Sequence, residues 1–245
     1  MKHDTSITRF GHSTSTEALV LSDYHPAVIE GRPYFSKSAN EHKRHKACVL
    51  VSGHNSRKIG KRVSKGTLAG MPIFTLTLEE RRTCPRSCAM WSSCYGNRMP
   101  WSIRWPAGAD TERRIADELA QLQWEYSGGF LVRLHVLGDF YSIEYVNLWA
   151  AWLEQFPALH CYGYTARSDE IGAAVAMLAA HQWKRFAIRS SQGLIPNMPA
   201  SYVMQRGTEA LGGIVCPVET HKSACCATCA LCWDQPNKSI IFLPH

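Results

Sequence analysis

No apolar run in this chain reaches the roughly 18 residues of a membrane-spanning helix, so no membrane partner is expected. The opening residues, MKHDTSITRFGHSTST, lack the apolar core of a secretory signal, which points to a cytoplasmic protein. Internal repeats and low-complexity tracts are missing, which excludes solenoids and disordered linker arrays. Acidic residues are scarce, 20 against 27 basic ones, giving a net charge of +7. They are wholly absent from His42 to Lys65, a stretch that holds Lys43, Arg44, Lys46, Arg57, Lys58, Lys61, Arg62 and Lys65. Such a run reads either as a solvated basic loop or as a patch that binds a polyanion such as nucleic acid through residues 42–65. A hydrophobic content of 45% with 19% charged residues describes a globular chain, and 245 residues bury a substantial core.

What is abundant is cysteine, ten in all. Eight of them fall into two tight clusters. Cys84, Cys88 and Cys94 form the first; Cys216, Cys225, Cys226, Cys229 and Cys232 form the second. In a reducing compartment, clustered thiols read as metal or redox chemistry rather than as disulfides. Short loops bring their sulfurs together at low entropic cost, and thiolates suit soft ions. The remaining pair, Cys48 and Cys161, read as plain buried thiols.

The ligand counts of the clusters differ. A structural zinc site closes on four ligands, often from two paired knuckles, and the first cluster has only three thiols. A four-iron cluster spreads its ligands over a cube, and three protein ligands leave one iron open. The spacing Cys226-x2-Cys229-x2-Cys232 with a remote Cys216-Pro217 follows the ligand logic of a ferredoxin-type 4Fe-4S cluster, with Cys225 to spare. One cluster or two remains open at this stage, because three thiols of the first loop and one of the second would also close a single cluster.

Around the clusters, strands and helices alternate. Met71–Leu78 reads as a strand, followed by the Cys84–Cys94 loop. A helix is expected over Ala109–Tyr126, with Asp110 or Thr111 at its start and Gly128-Gly129 as its stop. Phe130–Leu137 reads as a strand whose alternation places Arg133 and His135 on one face. Ser142 caps a helix over Ile143–Phe156. Leu159–Thr165 and Lys184–Arg189 read as strands, separated by a helix that Ser168 or Asp169 starts. Pro199–Leu211 is expected as a helix, with short strands at Gly213–Cys216 and Ser239–Leu243. The fold class is therefore α/β, a partial (β/α) barrel or an open parallel sheet with a Cys-rich C-terminal segment. Residues 1–46 read as a basic, partly ordered arm, 47–215 as the core and 216–245 as a cluster-binding segment. Both thiol clusters, Gly138-Asp139, Thr165–Arg167 and Arg189–Ser191 follow strand C-termini, where parallel α/β folds build their sites.

This order of a strand, a Cys-rich loop ending in Cys94-Tyr95, a helix and a strand ending in Gly138-Asp139 resembles the radical S-adenosylmethionine (radical-SAM) superfamily. More narrowly, TLTLEERRTCPRSCAMWSSCYGN, LHVLGDFYS and the CP…CxxCxxCW ending resemble a phage protein family distantly related to it. The resemblance implies a 4Fe-4S cluster on Cys84, Cys88 and Cys94 whose open iron binds SAM. It implies cofactor contacts from Tyr95, Gly138 and Asp139, with Arg189, Ser190 and Ser191 near the ribose and carboxylate. It also implies a ferredoxin or flavodoxin as electron donor, and a phage product would work in the host cytoplasm. One departure is visible: the loop is Cys-x3-Cys-x5-Cys where the superfamily usually has Cys-x3-Cys-x2-Cys. Other readings concern single residues. His135 and Asp139 are possible site members, Trp91, Trp101 and Trp105 either pack over the cluster loop or join the core, and Glu79–Arg82 reads as a salt-bridged surface turn. Arg133 and Arg167 read either as anion contacts or as buried structural pairs.

Overall fold

The computed structural model describes residues 18–35, 37, 41–204 and 212–243. Its elements in chain order are α1 (Pro26–Ile29), β1 (Leu50–Ser52), β2 (Ile73–Leu76), α2 (Ala109–Glu125), β3 (Phe130–Leu134), α3 (Ile143–Gln155), β4 (Leu159–Thr165), α4 (Glu170–Gln182), β5 (Phe186–Ser191), β6 (Ala200–Val203), β7 (Ile214–Val215), α5 (Cys226–Cys229), α6 (Leu231–Asp234) and β8 (Ile240–Phe242). The strands form one open sheet in the order β1-β2-β3-β4-β5-β6-β8-β7. All neighbours run parallel except β1, which pairs antiparallel with β2 at the edge.

The helices form where the sequence places apolar residues three and four apart. Ile115, Leu119 and Leu122 line the buried side of α2. Ser142 caps α3 by accepting from the Tyr145 N–H, and Asp169 caps α4 by accepting from the Gly172 N–H. These three helices all pack on one face of the sheet. There Trp149 and Tyr145 of α3, Leu119 of α2 and Val175 of α4 meet Leu76, Val132, Leu134, Leu159 and Ile188. The opposite face has a different cover. Ile73, Leu131, Tyr162 and Ala187 lie under Ile59, Val63 and Leu68 of the basic stretch and under Ala227, Ala230, Cys232 and Trp233 of the C-terminal segment. The face away from α2, α3 and α4, crossed only by the short α5 and α6, is thus where the second cysteine cluster sits.

Three expectations are corrected. Ala200–Val203 is a strand, not part of a helix, and the rest of that expected helix, 205–211, lies outside the described residues. β6 forms because Ser190 and Ser191 of β5 offer it a free parallel edge, a partner no local propensity reports. Arg133 and His135 do not share a face. β3 ends at Leu134, and the His135 ring packs among Phe140 and Tyr145 on the helix side. Cys48 is exposed rather than buried, while Cys161 is buried as expected.

The central strands approach closely at Gly163, which pairs with Leu134. A Cβ there would lie 1.5 Å from the Leu134 carbonyl oxygen, which is backbone and cannot rotate away. We expect Gly163→Ala to abolish the cooperative thermal transition seen by circular dichroism; a wild-type-like melt would show that β3 and β4 can separate locally.

Candidate metal centre

The first thiol group stands on a loop that buried charges hold in shape. The Glu80 side chain is fully buried and accepts from Arg104 Nε at 2.6 Å. The other Arg104 nitrogens donate to the carbonyls of Met99, Ser102 and Gly96, each at 3.0 Å. Arg81 donates to the Trp91 carbonyl at 2.9 Å and to Asn97 Oδ1 at 2.7 Å. So Glu79–Arg82 is not a surface turn: Glu80 and Arg81 are interior, and only Arg82 reaches solvent, beside Glu79. Residues N-terminal to β1 complete the loop. Asn97 Nδ2 donates to the Leu19 carbonyl, the Trp91 indole donates to the Val28 carbonyl, and Leu21 N–H donates to Ser92. Trp91 packs against Leu21, Ala27 and Val28, and Trp105 belongs to the main core.

Cys84, Cys88 and Cys94 are half-buried in this frame. Burial pushes the Cys84 thiol well up, with the Asp139 carboxylate, Cys94 and Cys88 adding to the effect. Burial likewise lifts Cys88 and lifts Cys94 to about 12. Their mutual influence means that the three thiols and Asp139 share one small region. Asp139 is itself buried. It accepts from Ala166 N–H at 2.7 Å and Phe140 N–H at 2.8 Å, and burial raises its pKa to about 6. Gly138, at φ +86°, carries the chain against Leu78 and Thr83; a Cβ would stand 2.6 Å from each. Arg167 ties these turns together by donating to the Phe140 and Thr83 carbonyls at 2.8 Å.

The second thiol group lies on the opposite face of the sheet from α2, α3 and α4. Cys216 N–H donates to Ile241, which fixes it beyond β7. Cys226 N–H and Ala227 N–H donate to the Lys58 and Ile59 carbonyls, so the basic stretch is stitched to the segment that carries the thiols. Burial raises all four thiols, Cys216, Cys226, Cys229 and Cys232, and Cys226 feels both Cys232 and Cys216. Tyr164 donates its hydroxyl to Cys232 Sγ at 2.9 Å. Cys225 has another task. It is the N-cap of α5, and its sulfur faces Gly60, where a Cβ would stand 2.7 Å from Sγ.

The two groups are neighbours across Arg133. Its guanidinium lies 4.6 Å from the Tyr164 ring centroid and 5.5 Å from that of Tyr162. It feels Tyr95 on one side and Cys226 on the other. Tyr95 is 46% exposed, while burial raises its hydroxyl pKa, so part of the residue faces solvent and its hydroxyl is turned inward.

The six residues expected at a cofactor therefore separate. Tyr95, Gly138 and Asp139 adjoin the first thiol group. Arg189 is fully buried and donates to the carbonyls of Gln235, Lys238 and Cys232 at 2.6, 2.7 and 2.9 Å, beneath the second group. Ser190 is buried and accepts from Ile195 N–H, and Ser191 pairs with Ser201 in the sheet. His135 contacts the Tyr145 hydroxyl at 3.2 Å, and burial, then the charge of Arg133, lowers its pKa to about 3. The buried pair Glu80–Arg104 gave no sequence signal, because its members lie 24 residues apart. Among the described residues, no three His, Cys, Asp or Glu side chains form a ligand set for a single ion.

A family model described as Gene product 88 matches residues 49–182, more than half of the chain. The chain belongs to this phage protein family. The Gene product 88 match runs from β1 to the end of α4 and includes Cys84, Cys88, Cys94 and Asp139. Cys216–Cys232 lie beyond it. No curated protein and no solved structure matches the chain. Among the described residues, no helix is long and apolar enough to cross a membrane.

Two outcomes follow from the buried charges. The unfolded His135 takes a proton near its ordinary pKa of 6.5, the folded one only near 3. Over that interval the unfolded state binds more protons, so this residue's contribution is lost as pH falls from 6.5 to about 3, by up to about 1.4 kcal/mol per pH unit. Asp139 opposes it, because a raised carboxylate pKa adds stability at low pH and loses it as pH rises through about 6. Urea denaturation of His135→Gln at several pH values should therefore show less acid loss than wild type between 6.5 and 3; parallel profiles would contradict the buried neutral imidazole. Glu80→Ala strands the Arg104 cation and should cost about 3–5 kcal/mol in the same assay.

Proposed function

We propose that the protein is an iron–sulfur protein with two 4Fe-4S clusters, the first on Cys84, Cys88 and Cys94 and the second on Cys216, Cys226, Cys229 and Cys232. The observation that carries this reading is the division of the thiols into a group of three and a group of four, each in its own buried setting. Buried thiols with raised pKa values stay protonated unless a metal compensates the charge, and metal binding then releases those protons. The spread of the ligands favours a group that presents several irons over a single zinc ion, which needs its sulfurs close around one point.

In this reading the protein resembles radical-SAM enzymes in function as well. Cys84, Cys88 and Cys94 would hold a cluster with one open iron, and that group, when bound and reduced, would supply the electron for reductive cleavage of SAM. The chain's own contribution is positional. Tyr95 offers an accessible ring beside the thiols, and Trp91 with the 19–28 segment closes the loop's outer side against water. Reducing equivalents would come from a ferredoxin or flavodoxin.

A second reading is an iron–sulfur protein that senses redox state and binds nucleic acid through its basic stretch. The Asp139 carboxylate favours it. That carboxylate is buried and each of its oxygens already accepts from a backbone N–H group, so a SAM amino group would have to reach the remaining lone pairs inside a closed turn. Anaerobic protein with iron counts and EPR decides between the readings. Ala at Cys84, Cys88 or Cys94 should remove about half of the iron, and Ala at Cys229 or Cys232 the other half. A change in the reduced EPR spectrum on adding SAM, with 5′-deoxyadenosine released, supports the enzyme. Full iron without response to SAM supports the sensor, and stoichiometric zinc without iron would sink both.

A further inference from the structure

The face of the sheet away from α2, α3 and α4 carries hydrogen-bond donors that have no acceptor among the described residues. Arg133 Nη1 and Tyr162 Oη are both buried without a partner, and so is the indole N–H of Trp233, whose ring meets Tyr162 at 4.7 Å. Tyr162 is only 1% exposed. Buried donors are nearly always paired, because an unmade hydrogen bond in a dry interior costs about 1–3 kcal/mol. A buried guanidinium with no carboxylate nearby is costlier still. These groups are not scattered. The Tyr162 hydroxyl is influenced by Cys226, Arg133 and Cys232, and Arg133 in turn by Tyr164, Tyr162, Tyr95 and Cys226. Tyr164, between them, already donates to Cys232 Sγ. The donors thus surround one anionic place, the one where the C-terminal thiols meet.

Four thiolates around a bare divalent ion use their charge on that ion and present few further acceptors. A sulfide-bridged cluster presents bridging sulfurs as well as thiolates, and it carries negative charge that a neighbouring cation stabilises. We propose that Arg133, Tyr162 and Tyr164 form a hydrogen-bonding cage that recognises a sulfide-bearing, anionic cluster at Cys216, Cys226, Cys229 and Cys232 and raises its reduction potential. The first thiol group has a cation of its own, Arg81, but two carboxylates, Asp139 and Glu80, act against it. An electron added to the C-terminal cluster increases its negative charge, so donors and a cation favour the reduced form. Acidic neighbours disfavour it at the first group. The cage therefore makes the C-terminal site the more easily reduced of the two.

The inference rests on the iron–sulfur reading, and one experiment separates the two. The full chain carrying Cys84→Ala, Cys88→Ala and Cys94→Ala isolates the C-terminal cluster. Its potential is measured by EPR-monitored titration with dithionite, alone and with Arg133→Met or Tyr162→Phe added. Each addition should shift the reduced-to-oxidised ratio at fixed potential about tenfold toward oxidised, about 59 mV for a one-electron couple. Tyr162→Phe removes one hydroxyl and no packing volume, so it answers even where Arg133→Met misfolds. Unchanged potentials with full iron in the added variants overturn the cage and leave the iron–sulfur reading standing. No iron–sulfur signal in wild-type protein overturns both.

Discussion

Each loop that brings a reactive side chain to this sheet is held by an arginine whose guanidinium serves backbone carbonyls. Loops leave carbonyls unpaired, and a buried carbonyl needs a donor. A guanidinium brings five N–H donors in a rigid plane and satisfies several at once. Arg104 does this inside the Cys84–Cys94 loop, Arg167 between the turns after β2 and β3, and Arg189 under the C-terminal segment. Only Arg104 is paired with a buried carboxylate, Glu80. These three cations fix non-repetitive backbone where no helix or strand could, and the thiols hang on that backbone.

The sheet then decides which thiols see which surroundings. Its helix side is a conventional apolar core around Trp149 and Tyr145. Its other side mixes apolar residues with Arg133, Tyr162 and Tyr164, and the C-terminal segment closes over them. The first thiol group is set after β2 beside Asp139, Glu80 and Arg81. The second lies over tyrosines and Arg133, with Lys58 and Glu219 at Cys216. Two sites of the same residue type therefore sit in different polar surroundings, which is how a fold differentiates similar groups.

The basic stretch also gains a structural meaning. Lys58 and Ile59 accept backbone hydrogen bonds from Cys226 and Ala227, and Ser64 N–H donates back to Ala227. Ile59, Val63 and Leu68 cover the sheet. The alternation of basic and apolar residues from 57 to 68 is thus a lid with an apolar underside and a charged top. Lys58 of its charged top pairs with Glu219, so the stretch holds the C-terminal segment down through both its backbone and its charge.

Much of this was legible in the sequence. Amphipathic spacing set α2, whose N-cap is Gly108 and not Asp110 or Thr111, and the capping residues Ser142 and Asp169 set the starts of α3 and α4, because those signals act within a few residues of the chain. Runs of β-branched and aromatic residues set β3, β4 and β5. The thiol clusters were visible because their members are close in sequence. What the sequence could not show were partners far apart in it. β6 became a strand only because β5 offered an edge, and His135 left its expected face because β3 ends at Leu134, three residues before the expected end. The carbonyls that Arg189 serves lie more than 40 residues away in the chain, at Cys232, Gln235 and Lys238. Local chemistry determined the elements and the thiols. Tertiary structure alone decided which charges were buried beside which thiols, since burial and charge pairing depend on distance in space and not along the chain.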